Sequence, residues 1–183
     1  MTVTTLSRGL LMVLAALVMF AGTANAASKE TIDRRVGKSL EKFRTDIRGG
    51  QDLLNRAEGV LVFPSVKKAG IGIGGEYGEG ALLIRGQTVD YYSTAAASIG
   101  FQLGAQARTQ ILVFLDKSAL DKFRASDGWE IGADASVAVV TVGAGGAIDT
   151  TSLNQPIVAF VFNNKGLMYN LSLEGSKVSK IKR

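Results

Sequence analysis

Between Ala69 and Gly80 the chain reads Ala-Gly-Ile-Gly-Ile-Gly-Gly-Glu-Tyr-Gly-Glu-Gly, and this run constrains the fold more than any other. Glycine at 70, 72 and 74 with isoleucine between is a period of two, the period of a strand. One face of such a strand is bare backbone, which another segment or a large side chain can approach closely. Glu76, Tyr77 and Glu79 then mark a turn or bulge, Leu82 and Ile84 resume a strand, and Tyr91 to Thr94 begin another. Gly70-x-Gly72-x-x-Gly75 also has the spacing of a dinucleotide fingerprint. That motif needs a helix opening directly after it, because the helix N-terminus holds the pyrophosphate. Here more β-type sequence follows, so close strand packing is the better reading.

Helical periodicity appears first from Lys29 to Arg48. Ile32, Val36, Leu40, Phe43 and Ile47 share an arc of about 80°. Ser28 is the expected N-cap and Gly49-Gly50 the expected stop. Arg34, Arg35, Lys38 and Lys42 cluster on the other side, diluted by Asp33, Glu41 and Asp46. An apolar stripe backed by basic residues fits a surface helix packed on a sheet, and equally an interfacial membrane helix. A second helical piece runs from Gln51 to Ala57, and a third from Ser118, its expected cap, to Ala125.

The remainder is β-type. Gly59 to Pro64 reads as a short buried strand ended by proline, with Lys67 and Lys68 in the turn after it. Ser98–Leu103, Gln110–Leu115 and Trp129–Val142 follow, then a glycine loop at Gly143, Gly145 and Gly146. Ile157–Phe162 and Leu167–Leu173 flank Asn163-Asn164-Lys165-Gly166, a hairpin signal because asparagine and glycine accept positive φ. The tail from Ser176 carries Lys177, Lys180, Lys182 and Arg183. The expected fold is α+β: a mostly antiparallel, barrel-like sheet with an N-terminal amphipathic helix and one or two short helices.

Absences narrow the chemistry. With no cysteine and no histidine among 183 residues, disulfides, an acylated lipobox, a Ser-His-Asp triad and the usual zinc sites are excluded. Glu76, Glu79, Asp134 and Asp149 are the only acid/base material, and none falls in a calcium-loop pattern. The reading is therefore non-enzymatic, with no catalytic residue, metal or cofactor. Tyr77, Tyr91, Tyr92 and Trp129 could line an aromatic groove, or belong to the edge of the core. A net charge of +5 suits an anionic partner. No nucleic-acid motif is present, which leaves a membrane surface. Met1 to Ala26 reads as a signal peptide, with a short anchor that stays attached as the alternative: Arg8, an apolar run from Leu10 to Phe20, and Ala24-Asn25-Ala26 before a cut. Residues 27–183 would then be one exported domain, periplasmic or secreted.

The segments AGIGIGGEYGEGALL and YYSTAAASIGFQLGAQ closely resemble the core of the SYLF domain family. ALDKFRASDGWEIGADASVAV, GAGGAIDT and PIVAFVFNNKGLMYNLSLEGSKVSKI agree in the right order. The resemblance implies a lipid- and actin-binding module, with phosphoinositide membranes bound by eukaryotic members and actin filaments by fungal ones. It places membrane contact partly on a helix at the N-terminal edge, here Lys29 to Arg48. For an exported bacterial-type chain it implies an anionic phospholipid membrane as ligand rather than actin, with Arg34, Arg35, Lys38 and Lys42 of that helix as lipid-binding residues. Lys177, Lys180 and Lys182 join them as candidates on the basic charge at the other end of the domain. A module of the envelope that pairs an exposed glycine-strand edge with a protein partner is the alternative.

Overall fold

The glycine run lies inside one very long strand, β1 (Gly59–Ile84), which bends back on itself. In a straight strand Val62 and Gly80 would stand about 60 Å apart. Instead, a Cβ added to Gly80 would lie 1.9 Å from the Val62 carbonyl oxygen, and one on Gly78 3.0 Å from that of Ser65. No side chain fits there. The bend lets β1 pair through its first half with β3 (Gln106–Phe114) and through its second with β2 (Gln87–Gly100), both antiparallel.

Beyond β3 come β6 (Ile157–Lys165) and, parallel to it, β5 (Ala138–Thr141). Beyond β2 come β7 (Lys177–Ile181) and the two-residue β4 (Trp129–Glu130). The order β4-β7-β2-β1-β3-β6-β5 makes one sheet, curled into a half-barrel. In this computed structural model the described residues are 26–100, 106–134, 137–141, 154–165, 173 and 175–183, without the side chains of 69–73, 98–100, 141 and 163–165. Asp149, the glycine loop at 143–146 and most of Leu167–Leu173 lie outside them. With helices α1 (Lys29–Asp46), α2 (Gly50–Arg56) and α3 (Lys117–Ala125), the architecture is the expected α+β one.

Both faces of the central strands are buried, which is why their sequences are continuous apolar runs. Val60, Val62, Ile111, Val113, Val158 and Phe160 point to a core closed by Ile32, Val36, Leu40 and Phe43 of α1 and Leu53 of α2. Their alternate neighbours Leu61, Phe63, Leu112, Phe114, Ile157 and Ala159 point to a second core with Leu120 and Phe123 of α3 and Trp129. Phe43 meets Phe160 edge-on at 4.9 Å, and Phe123 meets Trp129 edge-on at 5.3 Å.

Several local expectations are corrected. Glu76, Tyr77 and Glu79 form no turn; they stay in β1, in register with Ala96, Ala95 and Ser93. Pro64 does not end the strand, because a register shift between Phe63 and Val66 absorbs the missing donor, and Lys67 and Lys68 continue the pairing. Asn163 to Lys165 extend β6 instead of turning. The strand expected from Trp129 to Val142 is broken by a turn at 132–134 into β4 and β5. Asp116, not Ser118, caps α3, accepting the Ala119 amide at 2.9 Å. Ser28 caps α1 as expected.

Candidate functional site

The site is built on α1, whose apolar stripe belongs to the core: Ile32, Val36, Leu40, Phe43 and Ile47 are all buried. Its orientation is pinned on one flank by Asp33, whose carboxylate accepts the Tyr91 hydroxyl at 2.8 Å and the Thr88 hydroxyl at 3.1 Å. Burial and this carboxylate push the Tyr91 phenol up to about 12. Lys29 lies over the Tyr91 ring at 5.9 Å. With the stripe fixed, Arg34, Arg35, Lys38 and Lys42 are exposed on the outward side. Lys42 is 3.7 Å from Asp46, a solvent-exposed pair of small energetic weight.

Lys180 does not join this ridge. It is in register with Tyr92, whose ring packs on Phe123 in the α3-side core. It therefore projects from the sheet face opposite α1, where it bonds Asp90 at 2.5 Å beside Arg124 at 3.8 Å. Lys177 lies along β7 with its stem against Gly128, and Lys182 is exposed beyond the strand. Arg183 lies on the α1 side, where it pairs with Glu79, and Lys177, next to the α3-side core residue Val178, is on that same α1 face of the sheet. The tyrosines and Trp129 likewise form no common groove. Tyr92 and Trp129 are core residues on one face, Tyr91 is tied to α1 on the other, and Tyr77 is 51% exposed.

Each described acidic candidate has a structural partner. Glu76 takes both terminal nitrogens of Arg108 and lies 3.6 Å from Lys68. Glu79 accepts from Tyr77 at 2.9 Å, from Arg183, and from the Ala27 amide at 3.1 Å. Asp134 accepts the Glu130 amide at 2.6 Å. Among the described residues no cluster of histidine, cysteine or carboxylates is placed to hold a metal ion. The dinucleotide spacing lies in mid-strand, with no helix opening on it.

Sequence reasoning missed the Arg108 cluster. Arg108 is 5% exposed, and the Gln110 amide, with its oxygen turned inward, accepts from its Nη2 at 2.8 Å and Nε at 2.9 Å. Burial holds this guanidinium below its usual range, against the pull of Glu76. An arginine in a strand leading directly into the apolar run Ile111–Phe114 was the available signal, because a buried charge requires a partner. A cleft of about 340 Å³ between α1, α2 and the β1–β2 turn was also missed; Arg44 and Arg85 line it over Leu40, Leu54 and Leu83.

No helix among the described residues is long and apolar enough to cross a membrane. No curated protein matches the chain. A family model does match, over residues 95–183, from within β2 through β7, so that α1 and β1 precede the matched stretch. Over those residues the chain is similar to the Ysc84 family, whose model is described as Las17-binding protein actin regulator, in line with the resemblance to SYLF domains.

Proposed function

We propose that this chain is an exported, non-enzymatic lipid-binding domain that docks in its folded form on an anionic membrane surface through the outward face of α1. The observation that carries the reading is the division of α1: its apolar stripe is committed to the core while Arg34, Arg35, Lys38 and Lys42 face solvent. Near an anionic bilayer each such cation contributes about 1 kcal/mol, so a handful gives reversible binding without an inserted anchor. Lys177 and Lys182 would add only long-range attraction, and Lys180 less, being paired with Asp90. The chemistry asks for no cofactor or metal, and Glu76, Glu79 and Asp134 are occupied in holding the fold.

A second reading is a protein-interaction module of the envelope, favoured by the family's description as an actin regulator. It would use the edge of the glycine segment that β2 leaves free, since β3 pairs with β1 only from Gly59 to Lys68 among the described residues. Co-sedimentation of the chain with neutral and anionic phospholipid vesicles across a salt series separates the two. Lipid docking predicts binding to anionic vesicles that fades with salt and with a variant carrying serine at 34, 35, 38 and 42. Absence of binding at low salt would leave the protein-interaction reading.

A further inference from the structure

Just ahead of α1, the Ala27 backbone nitrogen donates to Glu79 Oε2 at 3.1 Å. Glu79 Oε1 is occupied by the Tyr77 hydroxyl and Arg183, whereas Ala27 is the only donor to Oε2 among the described residues. The Glu79 side chain is 12% exposed, in a cleft of about 440 Å³ that Ala26, Arg35 and Lys67 also line. Ala26 is exposed and so open to a protease. We propose that Glu79 is the receptor for the α-ammonium group that cleavage after Ala26 creates on Ala27, so that removal of the leader fastens α1 to β1. This rests on the exported reading above.

The step is a hydrolysis by a signal-peptidase-type protease. Water adds across the Ala26–Ala27 amide: its hydroxyl goes to the Ala26 carbonyl carbon, which leaves as a carboxylate, and the Ala27 nitrogen gains protons to become an ammonium. A neutral amide donor thereby becomes a charged one facing a carboxylate, and charge-assisted hydrogen bonds are the stronger class. Arg35, Lys67, Arg183 and the positive N-terminal end of the α1 dipole all oppose another positive charge there. Without a receptor, neutralising this amine would stabilise the protein. The two accounts therefore differ in sign.

The chain is exported and processed in a bacterial host, and its intact mass is read. Denaturant unfolding then compares the free-amine chain starting at Ala27 with its Nα-acetylated form, in wild type and Glu79→Gln. Acetylation is expected to raise the wild-type unfolding constant about tenfold and to lower that of Glu79→Gln, where the surrounding positive charges act without the receptor. An unchanged or lowered constant in wild type would overturn the proposal. The pKa of the Ala27 amine, read by ¹⁵N NMR, should lie above the ordinary value of about 8, and a value at or below it would also overturn the proposal. If Glu79→Gln does not fold, that titration decides. A mass beginning elsewhere overturns the cleavage site and the inference with it, whereas a mass beginning at Ala27 without an acetylation effect overturns the inference alone.

Discussion

Gly80 and Gly37 predict opposite outcomes for the same substitution. At Gly80 a methyl group would collide with the Val62 carbonyl, so Gly80→Ala should destabilise by about 3 kcal/mol or more. At Gly37, on the exposed side of α1, nothing lies within 4 Å, and Gly37→Ala should stabilise by about 0.5–1 kcal/mol. Denaturant midpoints check both. The buried ion pair makes a second residue-scale prediction. Glu76→Leu alone strands the Arg108 guanidinium and should cost about 3–5 kcal/mol, whereas adding Arg108→Met should restore more than half. The phenols set the alkaline limit. Tyr91 and Tyr92 are each raised to about 12, chiefly by burial, so the folded state holds their protons more tightly than the unfolded state. Their contribution is complete below about pH 10 and is lost as pH rises toward 12. Tyr91→Phe should shrink that loss in a pH-stability series. Tyr92→Phe should also be tolerated at neutral pH, because the buried Tyr92 hydroxyl has no hydrogen-bond partner among the described residues.

At the scale of elements, α1 was legible and β1 was not. A period of 3.6 places Ile32, Val36, Leu40 and Phe43 on one side wherever the helix docks, so local sequence sufficed. Glu76, Glu79 and Pro64 look like punctuation because what retains them in a strand lies far along the chain. Arg108 is 32 residues from Glu76, and Arg183 is 104 from Glu79. The candidate site divides in the same way. The basic ridge of α1 follows from periodicity, but the separation of Lys180 from it depends on the β2–β7 pairing and on Asp90, which no local pattern reveals. Phe43→Ala should cost about 3–5 kcal/mol, given a fully buried ring against Phe160 and Phe162. Serine at 34, 35, 38 and 42 should change stability little, since exposed substitutions usually fall within about 0.5 kcal/mol each. Thermal or denaturant unfolding of these variants separates the core side of the helix from its outward side.

For the whole molecule, a folded half-barrel that meets the membrane with α1 outward differs in geometry from a helix that leaves the sheet and inserts its apolar stripe. Thr45 distinguishes them, since it is exposed on the side of α1 opposite that stripe. The chain has no cysteine, so Thr45→Cys carries a spin label at one position only. The decisive measurement is the depth of that label on anionic vesicles, read from its collisions with water-soluble and lipid-tethered relaxants. Docking through the basic face predicts a label at headgroup level, shielded from the aqueous relaxant. A bound protein whose Thr45 label stays fully open to water would contradict it.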